Sequence, residues 1–287
     1  MEIKKNYSLK SLHTFHMDVD GKYFCEVASV DDLREALLFV KNKQTEVLVL
    51  GGGSNVLFAS GFEGLVMRVD VKGKEVVKED ERHVWVKAGA GENWDGFVAY
   101  CVEKGFGGLE NLSLIPGNVG ASPIQNIGAY GVELKDHFES LAFYHFDSGE
   151  VQIFEQEDCN FGYRNSIFKK ELKGKGVILS VTLRLDKFHD LKTGYGSIQQ
   201  ELEKLAKDSY SISDLRDVVI RIRQSKLPDP AEIGNAGSFF KNPVISKEAF
   251  IKLQTNFHEV PHYMVSESEI KVPAGLMGFE ILDISFD

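Results

Sequence analysis

Two short polar segments carry side chains that suit chemistry on a bound ligand. Arg164 lies among aromatic and small polar residues at 160–166, and its planar guanidinium suits a carboxylate or a phosphate. Ser238 lies in segment 234–243, with small residues before it and large apolar residues after it. No Gly-x-Ser-x-Gly elbow or Ser-His-Asp order surrounds this serine, so proton donation or hydrogen bonding suits it better than nucleophilic attack. A surface arginine and a turn serine remain the simpler interpretations of the local pattern.

A glycine turn at residues 51–55, which we term the first glycine segment, is a candidate anion site. It follows a strand, a helix and the short apolar run 47–50, an order typical of phosphate-binding turns. Val56 stands where the third glycine of a dinucleotide fingerprint would lie, and no lysine follows as in a P-loop. A simple tight turn explains the segment equally well.

Residues 109–131 form a second, longer glycine segment, rich in glycine and asparagine and almost free of charge. Its glycines, together with Pro116 and Pro123, predict a shaped loop and no regular helix or strand. Its apolar members predict that the loop is packed, so its backbone amides must be directed at a polar group. Amides in such turns form concave anion sites, so a phosphate-bearing ligand fits. The alternative is an ordered connector that binds nothing.

Apolar periodicity predicts the elements that position these segments. Helix 93–104 is the clearest, because Asn93 can cap it and Gly105 ends it. The prolines at 228 and 230 break the chain after helix 213–224. The other predicted helices are 30–41 and 198–207, and the predicted strands are 23–27, 47–50, 65–69, 75–78, 84–87, 140–146, 151–154 and 177–185. Residues 6–20 show no clear period.

Composition narrows the class of protein. A chain of 287 residues predicts two or three packed units. The net charge of −10 disfavours nucleic acid or an acidic membrane as the main partner. Cys25, Cys101 and Cys159 form no close pair and no metal-ligand spacing, which favours buried packing in a reducing compartment and predicts no metal site. The N-terminal stretch lacks the apolar core of a signal peptide, so we expect a cytoplasmic protein that does not bind a membrane.

Six motifs occur in one order between about residue 6 and residue 275: GGGSNVLF, AGAGENW, GLENLSLIPGNVGASPIQNIGAYGVE, CNFGYRNSIFK, RQSKLPDP and GNAGSFFKNP. Together they resemble the bacterial UDP-N-acetylenolpyruvoylglucosamine reductase family, also called UDP-N-acetylmuramate dehydrogenases. The tyrosine loop TGYGSI resembles the longer subclass of that family.

The resemblance implies an α+β fold, with a two-lobed FAD-binding domain of the vanillyl-alcohol-oxidase/PCMH type before an incomplete α+β substrate-binding domain. The implied boundaries are 1–71 for the first FAD-binding lobe, 72–227 for the second lobe and 228–287 for the substrate-binding domain. The implied reaction is reduction of FAD by NADPH, then hydride transfer to UDP-N-acetylenolpyruvoylglucosamine, which yields UDP-N-acetylmuramate for peptidoglycan precursors. The partner is a small nucleotide-sugar, and no obligatory protein partner is evident.

The resemblance also implies roles for individual residues. Arg164 matches the arginine that binds and polarises the substrate carboxylate, and Ser238 matches the serine that protonates the enol-like intermediate. The positions matching substrate contacts are Tyr130, Tyr163, Tyr195, Lys226 and Asn242. The positions matching FAD contacts are Gly51, Gly52, Gly53, Ser54, Asn55, Val56, Leu57, Asn111, Leu114, Ile115, Pro116, Gly117, Gly120, Ala121, Ser122, Pro123, Gln125, Asn126, Gly128 and Ala129.

The sequence departs from the family pattern after residue 275, where it reads LMGFEILDISFD. The family continues with the rest of the third lobe and a return segment that carries a catalytic glutamate, and Glu280 does not lie in a matching motif. We therefore expect a truncated chain that is poorly folded or inactive. Three functions stay open: a working reductase, an inactive remnant that binds flavin or nucleotide-sugar, and another FAD oxidoreductase of the same superfamily. The joint presence of Arg164, Tyr195 and Ser238 disfavours the last.

Overall fold

The structure is a computed structural model that describes residues 1–195, 197–237, 240–257 and 259–274. The chain divides into two compact units, Met1–Ala236 and Gly237–Asp287. The finer boundaries after residues 71 and 227 stay predictions. Within the described residues, the strands of the first unit are β1 (Lys4–Ser8), β2 (Asp20–Val27), β3 (Val47–Leu50), β4 (Phe62–Val69), β5 (Lys74–Glu79), β6 (His83–Gly89), β7 (Gly128–Ala129), β8 (Val132–Glu133), β9 (Phe138–His145), β10 (Val151–Glu155) and β11 (Gly176–Asp186), and its α-helices are α1 (Val30–Lys43), α2 (Trp94–Glu103), α3 (Ser197–Glu203) and α4 (Ile212–Lys226).

The first glycine segment is positioned by a four-stranded sheet of order β1-β2-β4-β3. β2 and β3 both pair with β4 in parallel, and parallel strands need a crossover, which α1 supplies. Ser29 caps α1 by accepting a hydrogen bond from the Asp32 amide, and Leu33 and Ala36 bury its inner face. β3 ends at Leu50, so the glycine turn lies at the carboxyl end of a parallel strand.

The second glycine segment is positioned by a five-stranded antiparallel sheet of order β10-β9-β11-β6-β5 and by α2. Asn93 caps α2 by accepting a hydrogen bond from the Gly96 amide at 2.9 Å, as predicted. Trp94, Phe97 and Cys101 are buried in the core that lies between α2 and this sheet. Leu109 and Leu112 belong to the same core, which confirms that the loop is packed.

Two helices complete the first unit. Ile198 and Leu202 of α3 pack on Leu215, Val218 and Val219 of α4 in a separate cluster. A capping box between Ser211 and Asp214 starts α4.

The second unit has its own small core. Within the described residues it contains β12 (Val244–Ser246), α5 (Lys247–Asn256), β13 (Tyr263–Met264) and β14 (Glu269–Lys271), with sheet order β12-β14-β13. Phe250, Ile270 and Val272 are its buried apolar residues.

The structure corrects three expectations. A short hairpin, β7–β8, begins in the second glycine segment and ends just after it, where no strand was predicted. Residues 6–20 include most of β1, a strand whose exposed polar residues show no period. The predicted helix 198–207 ends at Glu203. Tighter turns follow, in which the amides of Leu205 and Ala206 donate to carbonyls three residues earlier, and the left-handed Ala206, with φ of 50°, prevents the helix from continuing to residue 207.

Two further observations concern the cysteines and the length of the helices. The three cysteines are buried and unpaired, which confirms the packing interpretation. Among the described residues, no helix is long and apolar enough to span a bilayer.

Candidate active site

The two glycine segments meet at Gly52 and Gly117. A Cβ placed on Gly52 would lie 2.8 Å from the Gly117 Cα atom. Gly117 has φ of 117°, and a Cβ there would lie 2.9 Å from the Ser54 Oγ atom. Backbone atoms of Gly117 therefore exclude a side chain at Gly52, and the φ of Gly117 is one that residues with a Cβ rarely adopt, so both positions favour glycine where the segments approach.

The first glycine segment is held from its other side by the N-terminal residues. Gly53 is buried with φ of 63°, and a Cβ there would lie 2.0 Å from the Leu12 carbonyl oxygen. The Thr14 amide donates to the Gly53 carbonyl at 3.2 Å. The turn therefore lies between residues 12–14 and the second glycine segment, with no room to relax.

Backbone amides of both segments are available to a ligand. In the part of the chain that the structure describes, the amides of Gly52, Gly53, Ser54, Gly117 and Asn118 donate to no acceptor of the chain. Clustered amides of this kind attract anions such as phosphate. No group of three or more His, Cys, Asp or Glu residues within the described ranges is placed to hold a metal ion.

Side chains of α2 and α4 hold the second glycine segment at Leu114. The Asp95 carboxylate accepts hydrogen bonds from the Leu114 amide at 2.6 Å and from the Arg216 guanidinium at 2.7 and 2.9 Å. The Arg223 Nε atom donates to the Leu114 carbonyl at 3.3 Å. Burial raises the pKa of Asp95, yet hydrogen bonds from Arg216 and the Leu114 amide outweigh it and hold that pKa below its usual value. Asp95 is therefore an anion at neutral pH.

Two asparagines and a tryptophan fix the rest of this segment. Trp94 Nε1 donates to the buried Leu112 carbonyl at 2.9 Å. The Asn111 amide group donates to the carbonyls of Tyr130 and Lys192. The Asn126 amide group donates to Glu133 and to the Gly162 carbonyl, which ties the second glycine segment to the loop that carries Arg164.

Arg164 lies against the hairpin at the end of the second glycine segment. Its Nη2 atom donates to the Gly128 carbonyl at 2.5 Å, and a Cβ on Gly128 would lie 3.1 Å from Arg164 Nη1. The guanidinium lies 5.6 Å from the centre of the Tyr163 ring. Arg164 has φ of 54°, so its backbone is strained at the position where its charge is presented.

Tyr130 lies between a second arginine and a second tyrosine. Its ring meets the Tyr195 ring edge to face, with centroids 5.8 Å apart. Burial raises the pKa of Tyr130, and the Arg223 charge opposes that shift. Burial lowers the pKa of Arg223, and the nearby positive charge of Arg164 lowers it further. Arg164 from its loop and Arg223 from α4 therefore bring two positive charges to this region, partly offset by the Asp95 carboxylate, an arrangement that suits an anionic substrate.

The remaining predicted site residues differ in how exposed they are. Asn55, Leu57, Pro116 and Ala121 are exposed, whereas Ser122 and Pro123 are buried. Gly51, Val56, Ile115, Gly120, Gln125 and Ala129 are of intermediate exposure. Lys226 is the exposed last residue of α4, Asn242 accepts a hydrogen bond from the Ala274 amide within the second unit at 2.9 Å, and Ser238 lies outside the described residues.

Sequence reasoning missed Asp95, Arg216 and Arg223. The two arginines are seven residues apart on α4, a spacing that places them on one face of a helix beside the apolar stripe. That spacing was the available signal for these two residues. The pairing of Arg216 with Asp95, 121 residues away, had no local signal.

A family model described as an FAD binding domain matches residues 22–155, a range that contains both glycine segments. The UDP-N-acetylenolpyruvoylglucosamine reductase of Flavobacterium johnsoniae is 49% identical over 276 residues, which cover 96% of this chain and 81% of that relative. The reductase of Amoebophilus asiaticus is 46% identical, with the same coverage of both chains.

The chain belongs to the UDP-N-acetylenolpyruvoylglucosamine reductase family. This confirms the resemblance and the expected α+β fold with an FAD-binding domain. The crystal structure of the family member from Thermus caldophilus has the same fold, with a TM-score of 0.60 at 23% identity, over 94% of this chain and 87% of that one. The expected departure from the family after residue 275 lies outside the described residues.

Proposed function

We propose that this chain catalyses the FAD-dependent reduction of UDP-N-acetylenolpyruvoylglucosamine to UDP-N-acetylmuramate, a step in peptidoglycan precursor synthesis, with NADPH as hydride donor. The observation that carries the proposal is the meeting of the two glycine segments beside Arg164, in a chain 49% identical to a reductase of that name. Another FAD oxidoreductase of the superfamily is not favoured, because the relatives at 49% and 46% identity both carry the reductase name.

The residues of the first unit fit FAD. The diphosphate would be held by the unengaged amides of Gly52, Gly53, Ser54, Gly117 and Asn118, a cradle that any Cβ on Gly52 would fill. The remaining predicted cofactor residues belong to the same two segments or, as Val56 and Leu57 do, directly follow the first, and their contacts with FAD stay a prediction. FAD supplies the hydride chemistry when bound.

Arg164 has the geometry to bind the substrate carboxylate. Its Nη2 atom is occupied by the Gly128 carbonyl and its ring partner is Tyr163, so the guanidinium is oriented before a ligand arrives. A fixed cation stabilises negative charge that develops on a carboxylate without reorganisation of its surroundings. Tyr130, Tyr163, Tyr195, Lys226 and Asn242 are proposed to contact the nucleotide-sugar, and Ser238 is proposed to donate the proton.

We propose that the reaction takes place in the cytoplasm. The three buried, unpaired cysteines support this, since secreted proteins commonly pair such thiols.

An anaerobic visible spectrum of the purified chain with FAD tests the proposed function. We expect NADPH to bleach the flavin absorbance and the enolpyruvyl nucleotide-sugar to restore it. The Arg164→Met variant should bleach at the normal rate but recover at least a hundredfold more slowly, because only the substrate step needs the guanidinium. Failure of the wild-type chain to bind FAD, or to recover its absorbance on adding substrate, would overturn the proposal.

A further inference from the structure

Leu114 adopts a backbone conformation that its side chain disfavours. It has φ of 56°, in the left-handed region, where a Cβ crowds the following carbonyl. A non-glycine residue persists there only where its surroundings hold it. The position matters because Leu114 lies three residues before Gly117, whose amide is one of those available to an anion.

The chain between Leu114 and Gly117 transmits that conformation. Ile115 precedes a proline, which restricts it to extended backbone, and Pro116 has its own φ fixed by its ring. With little freedom at these two residues, the conformation at Leu114 decides the direction in which Gly117 meets Gly52. Their close approach, with a Cβ of Gly52 at 2.8 Å from Gly117 Cα, leaves little tolerance for error.

Charged side chains from two helices hold the Leu114 peptide on both sides. Asp95 of α2 accepts from its amide, and Arg223 of α4 donates to its carbonyl. Arg216 of α4 completes the arrangement by forming a bidentate ion pair with Asp95. The Arg216 side chain is only 14% exposed and the Asp95 side chain 25%. The planar guanidinium fixes the orientation of the carboxylate.

We propose that Asp95 and Arg216 are positioning residues for the cofactor: as a pair they hold Leu114 in the left-handed conformation, and thereby place the Gly117 and Asn118 amides opposite the first glycine segment. Neither residue needs to touch the cofactor. Their importance for activity rests on the proposed function, whereas their effect on the loop does not.

The first expected consequence is weaker FAD binding. The dissociation constant of FAD is measured from the quenching of flavin fluorescence, under conditions in which circular dichroism shows each variant to be fully folded. We expect Asp95→Asn and Arg216→Gln each to weaken FAD binding at least tenfold. The double variant should be no weaker than the worse single variant, because the two residues act as one unit. Asp217→Asn and Arg221→Gln are matched controls, because both remove an exposed charge from α4, the helix that carries Arg216. Each should change the dissociation constant less than twofold.

A rescue experiment separates positioning from general support of the fold. Glycine adopts left-handed backbone without strain, so Leu114→Gly in the Asp95→Asn background should recover at least threefold in FAD affinity over Asp95→Asn alone. If Asp95 merely joined α2 to α4, Leu114→Gly would not restore FAD affinity to the Asp95→Asn variant. Normal FAD binding by Asp95→Asn would overturn the proposal. So would a failure of Leu114→Gly to improve FAD binding in the Asp95→Asn background.

Hydrogen exchange gives a readout that needs no flavin. We expect the amides of a peptide spanning residues 112–120 to exchange at least tenfold faster in Asp95→Asn than in the wild-type chain, with no change in Asp217→Asn. Unchanged exchange would refute the positioning role. A wild-type chain that fails to bind FAD, yet shows the expected exchange, would overturn the proposed function and leave the positioning pair standing.

Discussion

The two glycine segments reach defined conformations by different physical means. The first, residues 51–55, is fixed by steric necessity, because backbone atoms of Leu12 and Gly117 occupy the space that a side chain at Gly53 or Gly52 would need. The second, residues 109–131, is fixed by side chains from distant elements, among them Trp94, Asp95 and Arg223. A short turn can therefore be encoded by its own glycines, whereas a long loop depends on partners elsewhere in the chain.

Gly53→Ala should break the first segment outright. Its Cβ would lie 2.0 Å from the Leu12 carbonyl oxygen, at a φ that alanine disfavours, so we expect a loss of about 3 kcal/mol or more in the free energy of unfolding. Urea denaturation measures the loss. Gly194→Ala, where a Cβ meets no atom within 4 Å, is the control and should change the value by less than about 0.5 kcal/mol. Equal effects at both sites would contradict the steric account.

Gly52→Ala tests the contact between the segments. A Cβ at position 52 overlaps Gly117, whereas a Cβ at Gly51 comes no closer than 3.8 Å to its neighbours. We expect Gly52→Ala to cost about 1–3 kcal/mol in the free energy of unfolding, by overpacking, and to weaken FAD binding. Gly51→Ala should be near neutral in stability. Similar unfolding midpoints for the two variants would show that the segments do not meet as described.

Asp95→Asn tests the electrostatic hold on the second segment through its pH dependence. The pKa of Asp95 is lowered in the folded state, so its ionised form contributes stability that is fully present above the unfolded pKa of about 3.9. That contribution is lost as the pH falls through the lower folded-state pKa. At neutral pH the variant should lose about 1–3 kcal/mol in the free energy of unfolding, because the partly buried Arg216 guanidinium loses its charged partner.

The difference in unfolding free energy between the wild-type chain and Asp95→Asn should therefore shrink on acidification from pH 5 toward pH 2. Denaturation at several pH values measures it. A difference that stays constant over this range would mean that packing, and not charge, holds Leu114.

Asn93→Ala gives the smallest expected effect on the second segment, because it acts only through the start of α2. The Asn93 side chain caps the helix on which Asp95 lies, and its loss should cost about 1 kcal/mol in the free energy of unfolding. Asn93→Asp keeps the cap and should retain the wild-type midpoint in thermal denaturation. Loss of stability in both variants would assign Asn93 a role beyond capping.

The elements that surround the site were largely predictable, and its fine geometry was not. The strand at 47–50 and the Asn93 cap followed from apolar runs and from residue types at helix ends. The left-handed Leu114 could not be predicted, since leucine carries no local preference for that conformation. The same holds for the contact between Asp95 and Arg216, because a salt bridge over 121 positions depends on the packing of α2 and α4.

The buried cysteines give two of the cores a chemical reporter. Burial raises the pKa of Cys25 and of Cys159 to about 12, and it raises the pKa of Cys101 further, so all three stay protonated and unreactive in the folded chain. Cys25 lies in the core shared by the first and second sheets, whereas Cys101 and Cys159 lie in the core between the second sheet and α2. Because alkylation needs an exposed thiolate, the order in which these thiols become labelled would record which of these two cores opens first.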